Sequence, residues 1–188
     1  PVYFYDENDN VCRGFVSAGH AYSTGDSATL NGMTIGVCVD SAFSGRNDAA
    51  LIKITNSNYS MSDVVNVSNH TLSNDKYMLV SEGSTIYKVG STSGYRSGTV
   101  TSTNGSVTYR INNQPLTISN VLVTDAMNLG GDSGGIVYCK SGSYYAIGTA
   151  SGSKHSTNNL TEDTFIECYV SQMIYAIQPL DCSYLPLS

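Results

Sequence analysis

Residues 130 to 135 read GGDSGG, a serine among four glycines with an aspartate directly before it. A serine hydroxyl is a weak nucleophile at neutral pH. Acyl transfer through it needs a base to take its proton, a group to orient that base, and donors aimed at the developing oxyanion. Glycines at 131, 134 and 135 permit a tight turn that no Cβ obstructs. Such a turn can aim the amides of Gly131 and Ser133 at one point, the geometry of an oxyanion hole. In a chain of this composition the five residues GDSGG arise by chance about 0.001 times, so Ser133 stands apart from an ordinary surface turn.

The base is sought among three histidines. His20 ends GFVSAGH, where an apolar run meets a turn, so its ring is presented at a sheet edge. His70 in NVSNHTL and His155 in SGSKHST read as solvated loop residues. Context therefore favours His20. Asp48 in GRNDAALIKI stands immediately before a strand-like apolar run. A carboxylate partly buried there, beside the far nitrogen of His20, would fix the tautomer and stabilise the imidazolium. The force of Asp48 comes from the order His, Asp, Ser.

The elements that must hold these groups read as β-structure. Short apolar runs such as MTIGVCV, AALIKI, TIYKVG, NVLVTDA and YYAIGTA recur, punctuated by turn residues at the spacing of antiparallel sheet. Asn104-Gly105 lies between two such runs and predicts a hairpin, because that pair tolerates positive φ; Ser141-Gly142 predicts a second. Only YVSQMIYAIQ has helical spacing, with Val170, Met173, Ile174 and Ile177 on one face and Pro179 as a stop, which predicts a helix over about 170–178. About a dozen short strands suit a sandwich or two small barrels. A boundary is expected near Glu82 to Ser84, in a polar stretch between strand runs.

The 188 residues fit one domain or two small lobes. Nine Lys and Arg against 15 Asp and Glu leave a formal charge of -6 and no basic stripe, which argues against nucleic acid or an anionic membrane as partner. Only 13% of residues are charged, and Ser, Thr, Asn, Gly and Tyr dominate, as in a β-rich secreted protein. No apolar run approaches the length of a membrane span, and PVYFYDENDN lacks signal-peptide character, so an exported chain is expected to begin, in this numbering, after processing. Five widely spaced cysteines, 12, 38, 139, 168 and 182, do not make a zinc ribbon, and no metal or cofactor is expected.

GFVSAGH, NDAALIKI and GGDSGGIVY in that order resemble the chymotrypsin-like serine proteases, nearest the bacterial secreted branch of streptogrisins and α-lytic protease. VGSTSGYRSGTVTSTNGSVTY, residues 89 to 109, resembles the segment that opens the second barrel of that branch, and AIGTASGS, 146 to 153, its substrate-binding strand. The resemblance implies an all-β fold of two six-stranded antiparallel Greek-key barrels with a short C-terminal helix. Residues 1–83 would carry His20 and Asp48, and 84–188 would carry Ser133. It implies a secreted, extracellular serine endopeptidase acting through an acyl-enzyme on Ser133. His20 is then general base and acid, Asp48 its orienting carboxylate, and the amides of Gly131 and Ser133 the oxyanion donors.

The same resemblance implies that Ser151, Gly152 and Ser153 pair their backbone with an extended polypeptide substrate. Its specificity pocket is floored near Met127, walled by Ala150 to Ser153, and has Gly130 at its mouth. No acid occupies the floor position, which leans the preference toward an apolar side chain, while Asp163, or Lys154 with His155, offers a charged alternative. Asp132 is expected to pair with Lys88. A monomer is expected, with protein inhibitors as further partners. Ala21 follows His20 where the family usually has cysteine, and Ser97 and Met127 replace another bridge. Cys12 is left to pair elsewhere or stay reduced, with Cys38 the favoured partner. Rival readings are a catalytically silent protease-like binding module and an esterase using the same triad.

Overall fold

A computed structural model describes residues 1–73 and 76–184. Its first sheet is built from β1 (Val2–Tyr5), β2 (Val11–Ser17), β3 (Ser27–Leu30), β4 (Met33–Ser44) and β5 (Asn47–Ile54), in the order β1-β2-β5-β4-β3. Two short strands, β6 (Val64–Val65) and β7 (His70–Thr71), pair with each other in the connection that follows. The second sheet closes on itself. It uses β8 (Thr85–Gly90), β9 (Gly94–Ile111), β10 (Gln114–Thr124), β11 (Ile136–Ser141), β12 (Ser143–His155) and β13 (Phe165–Gln172), ordered β10-β13-β12-β11-β8-β9 around the barrel. The all-β expectation holds. The second unit has the expected six strands, whereas five are hydrogen-bonded in the first sheet.

Both faces of the first sheet are covered. Leu51 and Cys12 look toward Met173 and Ala176 of α1 (Met173–Ile177), and Ile52 and Cys38 look the other way, with Ala28 and Ala50. Period-2 alternation along β5 places Leu51 and Ile52 in these two different cores. The barrel interior is filled by Ile86, Val100, Leu122, Val137, Ile147, Ala150 and Val170.

Three expectations are corrected by tertiary contacts. Asn104-Gly105 does not turn: β9 runs through it to Ile111, and the hairpin closes at Asn112 and Asn113, whose φ values are 50° and 64°. Gly105 instead lies opposite Val121, in a stretch where the β9–β10 register shifts, and a Cβ there would fall 2.4 Å from Val123 Cγ2. The glycine relieves a close approach at a bulge. The helix is shorter than 170–178 because Val170 and Ser171 are claimed by the barrel: Val170 pairs with Leu122 on one side and Ala150 on the other. Barrel closure outweighs helical spacing there.

Cys12 and Cys38 do not pair, and all five cysteines are free thiols. The reason is geometric. Cys38 faces the core of Ile52, while Cys12 faces that of Leu51, so the two sulfurs sit on opposite sides of the sheet with β5 between their strands. Burial raises the Cys168 thiol to about 12 and, with Asp181, the Cys182 thiol to about 11, which keeps both protonated and slow to react. Titration of the denatured, unreduced protein with a thiol reagent is therefore expected to find five reactive thiols. The melting temperature should not change with reductant; a drop would reveal a disulfide.

Candidate active site

The chain leaves β2 in a single turn of 3-10 helix, Gly19–Ala21, that carries His20. Gly19 is required by close approach: a Cβ there would meet Ala42 O at 2.6 Å and Ala49 N at 2.7 Å, so the turn lies flush on β4 and β5. Asp48, the second residue of β5, is wholly buried beneath it. The His20 amide donates to Asp48 Oδ1 at 2.8 Å, and His20 Nδ1 lies 2.9 Å from Oδ2 and 3.1 Å from Oδ1. The other ring nitrogen, Nε2, is 2.9 Å from Ser133 Oγ, which the loop between β10 and β11 brings from the second sheet. With Nδ1 facing a carboxylate that has no proton to give, Nδ1 is the donor and Nε2 the acceptor for the serine hydroxyl.

The loop that carries Ser133 is held by a second buried acid. Lys88 Nζ lies 2.9 Å from Asp132 Oδ2 and 2.8 Å from Ser93 Oγ, and neither charged side chain is exposed. Asp132 also accepts from the amides of Thr92, Ser93 and Leu129 at 2.8 to 2.9 Å. Burial works against its ionised form, but donors from Leu129, Ser93 and Lys88 outweigh it and hold the carboxyl well below the usual range. Two further bonds aim the loop amides. Thr92 Oγ1 donates to Gly130 O and Gly135 N donates to Asp132 O. In a trans peptide the N–H points opposite its carbonyl, so these bonds turn the Gly131 and Ser133 N–H groups to the other side. Among the described residues neither amide has an acceptor.

Strand β12 is stitched to this loop by Gly134 N to Ala150 O and Ala150 N to Gly135 O, both 2.8 Å. Ala150 is buried, and Gly152 and Ser153 are half-buried. Ser151 contributes more than backbone: its Oγ donates to Asp48 Oδ2, and Tyr109 OH lies 2.6 Å from it. Met127 is half-buried and Gly130 exposed, with only Leu160 Cδ1, at 4.0 Å, near the place a Cβ would take. Asn128, not singled out in the sequence, is 2% exposed and ties the two walls together through Nδ2 to Gly152 O at 3.1 Å.

The charged alternatives around that region are spoken for. Asp163 is exposed in a 3-10 turn, Lys154 sits 3.6 Å from Glu167, and His155 bridges Ser153 Oγ and Thr164 Oγ1 at 3.0 Å each. His155 and His70 are strand residues, not solvated loop residues; His70 stacks on Tyr144 at 4.0 Å between centroids and meets Tyr138 OH at 3.1 Å. No local signal marks Asn128, Tyr109 or the Ser151 side chain, since each acquires its partner across 24 to 103 residues of chain.

Residues 6–174 match the trypsin family. The chain belongs to that family. Solved structures with the same fold include Cellulomonas bogoriensis chymotrypsin (27% identity, 89% of this chain and 80% of that one, TM-score 0.68). Thermobifida fusca protease A superposes over 98% of this chain and 96% of its own with a TM-score of 0.70 at 24% identity. A glutamic-acid-specific serine protease that uses a histidine triad in substrate binding is 27% identical over 96% of this chain and 89% of its own, TM-score 0.69. No curated protein sequence gives a match. This trypsin-family chain is a serine endopeptidase.

In this trypsin-family chain, the Lys88–Asp132 pair makes a stability prediction. Lys88→Met strands a buried carboxylate and is expected to lower the unfolding free energy by about 3–5 kcal/mol in urea titrations. Because the folded carboxyl is held below its ordinary 3.8, its contribution is complete above about pH 4 and is lost as pH falls through the folded value. Wild-type stability should therefore fall on acidification below about pH 4, and Asp132→Asn should flatten that limb.

Proposed function

We propose that Ser133 is the nucleophile of a secreted endopeptidase that hydrolyses peptide bonds through an acyl-enzyme. The observation that carries the reading is the unbroken Asp48–His20–Ser133 line, with 2.9 Å at both links. Ser133 Oγ attacks the carbonyl carbon while His20 Nε2 takes its proton, and Asp48 holds the imidazolium through Nδ1–H. Negative charge develops on the carbonyl oxygen within reach of the Gly131 and Ser133 amides, which have no competing acceptor among the described residues. Collapse breaks the C–N bond as His20 returns the proton to the leaving amine. Water then repeats the sequence in reverse and frees Ser133.

The substrate lies extended along Ser151 to Ser153, adding a strand beside β12. In the pocket floored near Met127 and opening at Gly130, an apolar side chain is favoured: Lys154 is paired, Asp163 is exposed, and His155 is engaged by two hydroxyls. The relative specific for glutamic acid uses three histidines, whereas the three of this chain each have separate partners in Asp48, Tyr138 and Ser153. Residues 1–83 and 84–188 form the two lobes, and the site lies where they meet. A monomer acting outside the cell fits the low charge and polar β-rich composition, and no described helix is long and apolar enough to cross a membrane.

A fluorophosphonate probe followed by peptide mapping is expected to modify Ser133 in the folded protein; an unmodified Ser133 would sink the reading at its first step. Ser133→Ala and His20→Ala should each lower kcat by about a millionfold, and the double variant should lose little more, because the two act as one unit. Near-additive losses would show independent roles. Cleavage of a peptide library should enrich apolar residues before the scissile bond, and enrichment of acidic or basic residues there would overturn the pocket assignment.

A further inference from the structure

The Asp48 carboxylate has no proton to share, and the Ser151 hydroxyl has one. Since that proton is given to Asp48 Oδ2, the phenol of Tyr109, whose oxygen lies 2.6 Å from Ser151 Oγ, must be the donor between the two hydroxyls. The direction of the chain is thereby settled as Tyr109 to Ser151 to Asp48. The same ring covers the imidazole: Tyr109 and His20 stack with centroids 5.5 Å apart at 26°, and Phe43 meets Tyr109 edge-on at 5.2 Å and His20 at 5.7 Å. Tyr109 sits on the β9–β10 hairpin, beyond the part of β9 that pairs with β8, and this arm is moored to the first sheet by the Ser119 amide donating to Gly45 O at 2.8 Å.

We infer that Tyr109 is a positioning residue for the proposed reaction, its hydroxyl donating to Ser151 so that Ser151 holds Asp48, and its ring holding the plane of His20. Two observations stand behind the role. Gly152 leaves the room that the phenol oxygen fills: a Cβ at residue 152 would fall 2.7 Å from it. Burial of the phenol, with the Asp48 charge nearby, pushes its titration well above the ordinary range, so the hydroxyl keeps its proton at neutral pH. A donated bond polarises the hydroxyl that receives it and strengthens the bond that hydroxyl gives onward. Tyr109 acts at Ser133 through three intervening groups and touches none of the reacting atoms.

The inference rests on the proposed triad, and its test separates the two. The readout is the second-order rate constant for modification of Ser133 by a fluorophosphonate, which reports nucleophile activation without using the specificity pocket, alongside kcat and KM for fluorescent casein. Tyr109→Phe keeps the ring and is expected to lower the rate constant and kcat about three- to tenfold with KM unchanged. In a Ser151→Ala background, where the hydroxyl that receives the bond is gone, the same change should have no further effect. Gly152→Ala, which crowds the phenol oxygen away, should slow modification to a similar extent. With the folded fraction of each variant measured by urea titration, the rate constant is taken per folded molecule, so a purely structural loss leaves it unchanged. Full-rate modification of Tyr109→Phe, or an equal loss in both backgrounds, overturns the positioning role alone. A wild-type protein whose Ser133 is not modified overturns the proposed function, and this inference with it.

Discussion

A carboxylate removed from water must be met by donors or it will not stay ionised, and Asp48 is the place where this chain satisfies that demand. Its oxygens accept from the His20 amide, the His20 ring and the Ser151 hydroxyl, groups that belong to the turn after β2 and to β12 of the barrel. Meeting the acid therefore requires the first sheet and the barrel to lie against each other in one relation. The Gly19 turn flush on β4 and β5, the shared core of Leu51, Ala146 and Met173, and the arm moored at Gly45 are each consistent with that relation.

A second sealed acid does the corresponding work for the loop that carries Ser133. Asp132 draws Thr92, Ser93, Leu129 and Lys88 around it, so the tip of the β8–β9 hairpin is bonded to the turn that carries Ser133. The loop reaches its shape through charge-assisted hydrogen bonds and pinned carbonyls, with every thiol left free. A cross-link would constrain the unfolded chain, whereas these bonds constrain only the folded one and depend on the pH at which Asp132 ionises.

Local reading succeeded where a residue's conformation is dictated by its neighbours in sequence and failed where it is dictated by residues far away. The Ser141-Gly142 hairpin is present, because Gly142 at φ 74° needs no distant help. Asn104-Gly105 offers an equally good turn and is pulled straight by pairing with β10, the turn moving to Asn112 and Asn113. Val170 fits a helical stripe and is taken by two barrel neighbours. His70 and His155 sit in polar sequence yet pack against Tyr144 and bridge two hydroxyls, partners that no window of sequence contains. Cysteine pairing failed for the same reason: whether β5 lies between two strands, and which face each sulfur takes, is a property of the sheet order.

By itself the sequence determined the β class, the presence of a glycine-rich serine turn, the order in which His20, Asp48 and Ser133 follow one another, and the family those motifs resemble. These are matters of composition, spacing and local stereochemistry. Tertiary structure alone decided the 2.9 Å contacts among groups 28 and 113 residues apart, the pairing of Lys88 with Asp132 rather than with water, and the places of Ser151 and Tyr109 behind the acid. The physical reason is that a hydrogen bond acts over about 3 Å of space and is indifferent to the length of chain between its ends. Only when barrel closure and sheet packing bring two segments together does a serine or tyrosine that looked like any other acquire a role.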